Sequence, residues 1–203
     1  LFLGVPGMRV FSPTGLGNPA ELLSSLILTT QDPLLFIENK LLYLVKIGEG
    51  WEEFDQLPQT ADPLPPAQQS LTLAIRGAPP AAITLAAYGY MAELARQAML
   101  KLAFEDEIFC ELVVFHQLSP LEPAGLYASL ARTRRLLTLE ESNASLGWGT
   151  EVLAQANAAL AGKILASDRL GAQETPVPAS GVQEEIALPG VGHIIASVRR
   201  FFQ

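Results

Sequence analysis

The sequence predicts an α/β protein: an incomplete strand–helix–strand crossover, then an open, mostly parallel sheet with helices on both faces. Three observations carry this. Short apolar runs bounded by charge or turn residues alternate along the chain with runs of helical period. The stretch 135–160, RLLTLEESNASLGWGTEVLAQANAAL, passes from a doubly buried strand at 136–139 through the polar turn Glu140-Glu141-Ser142-Asn143 to a helix opened by Thr150 and Glu151. That is the crevice side of such a sheet, where ligands or partners are placed. A stretch rich in proline, from 48 to 69, divides the chain unequally.

In order, 8–11 is a strand ended by Ser12-Pro13. Asn18-Pro19 starts a helix, a cap followed by proline in the first helical position, with Leu22, Leu23, Leu26 and Ile27 as its apolar stripe. Asp32-Pro33 ends it, and 34–37 is a second strand. This unit, 1–47, is too small for a domain, so its outer strands are expected to pair with sheet outside this chain. The stretch 48–69 is expected to be a linker, with Trp51 and Phe54 packed on a neighbouring surface. The larger unit, 70–203, has strands at 70–76, 82–88, 108–115, 136–139 and 164–170. Its helices are expected at 91–104, 122–132, from 150, and from Pro189. Gln173 to Gly181 crosses the surface, and Ile194, Ile195, Val198, Phe201 and Phe202 form the apolar face of the last helix.

Composition excludes several classes. A net charge of −8 with scattered basic residues argues against nucleic-acid binding, which needs a basic face. No apolar run approaches the roughly 20 residues that cross a bilayer. Charged residues are 17% and hydrophobic residues 49% of the chain, a balance that suits a subunit burying surface against partners. The single cysteine, Cys110, rules out an internal disulfide and suits a reducing compartment, with the cytoplasm as the expected location. The chain starts inside LFLGVPGMRVF without Met or a signal-like region, as expected of a fragment cut within a fold.

Few residues offer chemistry. His116 and His193 have no sequence partners, and Cys110 lies in an apolar strand as an inert thiol. Glu140 and Glu141 point to opposite faces of a strand, a poor geometry for paired carboxylates, so capping or interface roles are expected. Asn143-Ala144-Ser145 matches a glycosylation acceptor by chance. Gly147-Trp148-Gly149 lacks the lysine and spacing of a phosphate loop and is expected to be a tight strand-to-helix junction. Arg132, Arg134 and Arg135 are expected to be a solvated helix end.

The order VPGMRVFSP, DPLLFIENKLLY, ITLAAYG, LSPLEP, RRLLTLEESNASLGWGTEV and TPVPASGVQEEIALPGVGHIIASVRRF resembles the second half of a known family. It is similar to beta subunits of the thiamine-diphosphate-dependent first component of 2-oxoacid dehydrogenase complexes, of pyruvate or branched-chain type. The resemblance implies that 1–47 is the last crossover of a pyrimidine-binding domain and 70–203 a transketolase C-terminal domain. It also implies an α2β2 assembly with an alpha subunit and a second beta subunit, docked to an acyltransferase core. The parent reaction would be oxidative decarboxylation of a 2-oxo acid with acyl transfer to lipoamide.

The departures restrict this. The family's glutamate that activates the thiamine ring lies upstream of the position matching Leu1, and the diphosphate-binding GDG pattern belongs to the partner subunit. Thiamine diphosphate and magnesium are therefore expected in the parent enzyme only, and no catalytic or cofactor-binding residue is assigned here. Where the family commonly has arginine before the Ser-Pro turn, this chain has Phe115-His116-Gln117. Many members hold potassium on main-chain carbonyls at a helix end, and the resemblance places these at Ile27, Leu28, Thr30 and Asp32. A mitochondrial matrix or plastid location is compatible with the family. The alternative reading is a non-catalytic α/β interaction or regulatory module.

Overall fold

The computed structural model describes residues 2–58 and 64–203; Leu1 and residues 59–63, which include Pro63 of the expected linker, lie outside the described residues. Its strands are β1 (Arg9–Phe11), β2 (Leu34–Phe36), β3 (Phe54–Gln56), β4 (Leu71–Ile75), β5 (Ile83–Tyr88), β6 (Cys110–Phe115), β7 (Gln117–Ser119), β8 (Arg135–Asn143) and β9 (Ala166–Ala172). The α-helices are α1 (Pro19–Thr29), α2 (Tyr90–Asp106), α3 (Ala124–Thr133), α4 (Trp148–Ala159), α5 (Gly181–Ala187) and α6 (Val191–Arg199).

Asn18 starts α1 as its sequence predicts: the side chain accepts from the N–H groups of Ala20 and Glu21 at 3.1 and 3.2 Å. Only Leu22 and Leu26 of the expected stripe are buried, whereas Ile27 is 67% exposed. The sheet beneath is three strands wide, ordered β2-β1-β7, and covers a narrow face of the helix. β1 and β2 are parallel, the expected crossover. The second edge of β1 is taken by β7 of this same chain, antiparallel, rather than by an outside strand. No strand among the described residues pairs with the outer edge of β2.

The larger sheet is ordered β3-β4-β6-β5-β8-β9. Its centre is parallel, β6 with β5, β5 with β8, β8 with β9, while β4 and β3 add antiparallel at one edge. Alternation along β5 shows how both faces are filled. Leu85 belongs to the core that holds Met99 and Leu102 of α2 and Ile194 and Val198 of α6. Its neighbour Ala86 belongs to the core on the other face, with Leu126 and Leu130 of α3 and Val152 and Ala156 of α4. The predicted α/β class is this one.

Local outcomes differ from expectation for identifiable reasons. The stretch 48–69 contains β3, whose Phe54–Gln56 pairs with Ile75, Ala74 and Leu73, and Trp51 and Phe54 are each only 5% exposed. Burying two aromatic rings at a sheet edge outweighs the tendency of a proline-rich segment to stay extended. β8 runs to Asn143, past the expected end at 139, because Asn143 still pairs with Ala172 of β9. Helix α5 forms just beyond the expected surface crossing, and the last helix begins at Val191, after Pro189. Phe201 and Phe202 lie in a short 3-10 turn.

Candidate functional site

The carboxyl end of β8 is where the sequence placed the crevice. Glu140 is fully buried. Its carboxylate accepts hydrogen bonds from the backbone N–H groups of Trp148 and Gly149, both at 2.9 Å, and from the Ser142 hydroxyl. Those two amides begin α4, where N–H groups have no partner within the helix and the dipole is positive. Desolvation pushes the Glu140 carboxyl above its ordinary value, and the Ser142 hydroxyl, the two amides and the charge of Arg169 act against that rise. The expected capping role is therefore what Glu140 performs.

The glycines follow from this close approach. A Cβ on Gly147 would collide with the Glu140 carboxylate and the Asn143 carbonyl, and one on Gly149 with the Thr138 hydroxyl. Between them, Trp148 is 2% exposed and packs edge-on against Tyr88 and Phe115, with centroids at 5.0 and 5.1 Å. Burial beside Glu140 pushes the Tyr88 phenol up to about 12.

Glu141 has a different task. It accepts from the Asn39 side-chain amide at 2.8 Å, joining the loop after β2 to the end of β8. Burial raises its carboxyl, the Asn39 hydrogen bond lowers it, and the charge of Glu184 raises it further. The adjacent carboxylates thus have separate partners. Asn39 was not singled out in the sequence, since nothing there shows which residue meets the end of β8.

The remaining candidates are structural. His116 is 5% exposed; its Nδ1 lies 3.0 Å from the Gln69 carbonyl, and burial pushes the imidazole down to about 4. His193 Nδ1 accepts from the Gly190 N–H at 3.1 Å, capping α6. Burial pushes the Cys110 thiol up to about 12, which leaves it protonated and unreactive. Arg132 forks onto Glu111 at 2.8 and 2.6 Å, Arg134 donates to the Lys163 carbonyl, and Arg135 lies over the Phe202 ring. The expected basic cluster is therefore divided among separate contacts. Asn143 of the glycosylation-like triplet is the last residue of β8 and pairs with Ala172.

Ile27 and Leu28 fall in the last turn of α1, Thr30 is its C-cap, and Asp32 lies in the bend before β2. The Thr30 N–H reaches the Leu26 carbonyl at 3.0 Å, and the chain then leaves the helix, so the last carbonyls lack amides further along it. The Thr30 hydroxyl accepts from the Arg9 guanidinium at 3.1 Å. Oxygen donors at a helix's negative end fit a hard monovalent cation. Among the described residues no group of three or more His, Cys, Asp or Glu could hold a metal ion, and no helix is long and apolar enough to cross a membrane.

A mostly parallel sheet with an antiparallel edge, helices on both faces and a β1-α1-β2 crossover beside it define an open α/β protein. The family model for the transketolase C-terminal domain matches residues 76–194, over half of the chain, and the chain belongs to that family. It is 27% identical over 200 residues to the mitochondrial pyruvate dehydrogenase E1 component subunit beta-1 of Arabidopsis thaliana, covering 98% of this chain and 52% of that protein. It is 28% identical over 201 residues to the acetoin:2,6-dichlorophenolindophenol oxidoreductase subunit beta of Cupriavidus necator, covering 98% and 55%. The chain thus spans about half the length of the curated relatives it matches. Among solved structures, a split gene transketolase described as an inactive beta4 tetramer superposes with a TM-score of 0.66 at 17% identity, covering 97% of this chain and 58% of that one. That likeness is one of fold.

Proposed function

We propose that this chain is the C-terminal part of a beta subunit of a thiamine-diphosphate-dependent 2-oxoacid dehydrogenase, and that its own contribution is assembly. One observation carries this reading: similarity to E1 beta subunits extends over 98% of this chain while occupying 52% of the relative. In this reading the partners are an alpha subunit, a second beta subunit and the acyltransferase core. Thiamine diphosphate and magnesium belong to the assembled enzyme, where the thiamine supplies the carbanion-stabilising chemistry. The main-chain carbonyls of Ile27, Leu28, Thr30 and Asp32 would hold potassium. The parent reaction is oxidative decarboxylation of a 2-oxo acid with acyl transfer to lipoamide.

Calorimetric titration of the 203-residue chain with thiamine diphosphate and magnesium tests the division of labour. No saturable heat is expected from this part alone; a saturable isotherm would place the cofactor site within it and overturn the reading.

A further inference from the structure

A cleft of about 680 Å³ opens at the carboxyl ends of β5 and β8, within the usual range for small-molecule sites. β5 leads into α2 on one face of the sheet and β8 into α4 on the other, so their connections diverge there. Open α/β sheets place ligands in crevices of this kind. Tyr88, the last residue of β5, and Glu141 and Ser142 of β8 line it, and Leu3, Ile37 and Val177 add exposed apolar walls.

The cleft holds a charge that nothing neutralises. Glu141 is half-buried, and among the described residues its carboxylate accepts one hydrogen bond, from the Asn39 amide to Oε2 at 2.8 Å. Oε1 accepts none. Among the described residues no lysine, arginine or histidine pairs with Glu141 or lines the cleft, and Glu141 is its one carboxylate. Burial raises its carboxyl, the Asn39 hydrogen bond opposes that rise, and the negative charge of Glu184 adds to it. A carboxylate in a partly desolvated wall without a counter-charge is stabilised by a cation brought in by a ligand, and apolar walls favour an organic cation over a hydrated metal ion.

We propose that this cleft binds a small organic ammonium, a primary amine carried on an apolar ring or chain. The ammonium donates to the Glu141 carboxylate, and the apolar body lies along Leu3, Ile37 and Val177. This site is separate from the assembly role and does not depend on it.

Three probes of similar shape separate charge from apolar burial: 2-phenylethylammonium, 2-phenylethanol and 3-phenylpropanoate. Calorimetric titration of the 203-residue chain near pH 8 keeps carboxyl groups ionised and the amine protonated. The ammonium is expected to bind saturably and about tenfold more tightly than the alcohol, with the propanoate weaker than either. Glu141→Gln keeps an acceptor for Asn39 and should bring the ammonium down to the affinity of the alcohol. Glu52→Gln removes the same charge from an exposed turn outside the cleft and should change nothing. An ammonium that fails to saturate, or binds no more tightly than the alcohol, overturns the proposal whether or not the glutamine variant folds. An ammonium preference that survives Glu141→Gln overturns it too, because the acidic surface at large would then be its source.

Discussion

The Glu140 carboxylate lies 2.9 Å from the backbone N–H of Trp148, so the last buried residue of a strand caps the helix that follows it. With the Gly149 N–H at 2.9 Å on the other oxygen, this contact ties β8 to the start of α4. Replacing Glu140 by alanine leaves the Trp148 and Gly149 amides without their acceptor and should lower stability by roughly 2–3 kcal/mol, as for hydrogen bonds to charged groups. Glu140→Gln keeps one carbonyl acceptor and should lose less. Urea unfolding midpoints measure both, and an unchanged midpoint for the alanine variant would remove Glu140 from this role.

The same junction should reject side chains at its glycines. Alanine at Gly147 or Gly149 sets a Cβ against the Glu140 carboxylate or the Thr138 hydroxyl and should lower the melting temperature. Gly192, within α6, has open space around its Cβ position. Alanine there should instead stabilise by about 0.5–1 kcal/mol, the ordinary gain of Gly→Ala within a helix. Thermal melts of the three variants should therefore shift in opposite directions.

Stability should also depend on pH through His116. Its imidazole titrates near 6.5 when unfolded and at about 4 when folded, because burial disfavours the charged form. Above pH 6.5 both states are neutral, and folding is unaffected. As pH falls from 6.5 to 4 the unfolded chain takes up the proton first, so native stability declines, by about 3 kcal/mol in all. Denaturation midpoints across this range should show a decline that is smaller in His116→Gln. Identical pH profiles for the two proteins would exclude His116 as the cause.

Arg132 and Glu111 form the other contact with a large expected effect. Glu111 is 5% exposed in β6, and both of its carboxylate oxygens accept from the Arg132 fork. Arg132→Ala should cost roughly 1–3 kcal/mol by leaving a buried carboxylate unpaired. Adding Glu111→Gln should recover part of that loss, and a double-mutant cycle on unfolding free energies reads the coupling.

Legibility in the sequence followed the range of the interactions. The Asn18-Pro19 helix start, the strand at 82–88 and the strand–loop–helix at 135–160 rest on neighbours within a few residues, and each was readable. β7 pairs with β1 across more than a hundred residues of chain, and no local pattern shows that partnership. Glu140 and Glu141 read alike as turn residues. What separates them is that α4 offers two amides to the first, while Asn39 reaches the second. β3 is only three residues long and exists because β4 presents an edge to it. The crevice was located from sequence, but no local pattern shows that Val10 of the smaller sheet joins the core that holds Trp148.

Assembly is the claim on which the functional account stands. Size-exclusion chromatography with light scattering should be run on the purified chain mixed with an alpha-type subunit of a 2-oxoacid dehydrogenase from the same genome. The account predicts a stable species heavier than either component, containing both. Separate elution of the two at all concentrations would contradict it.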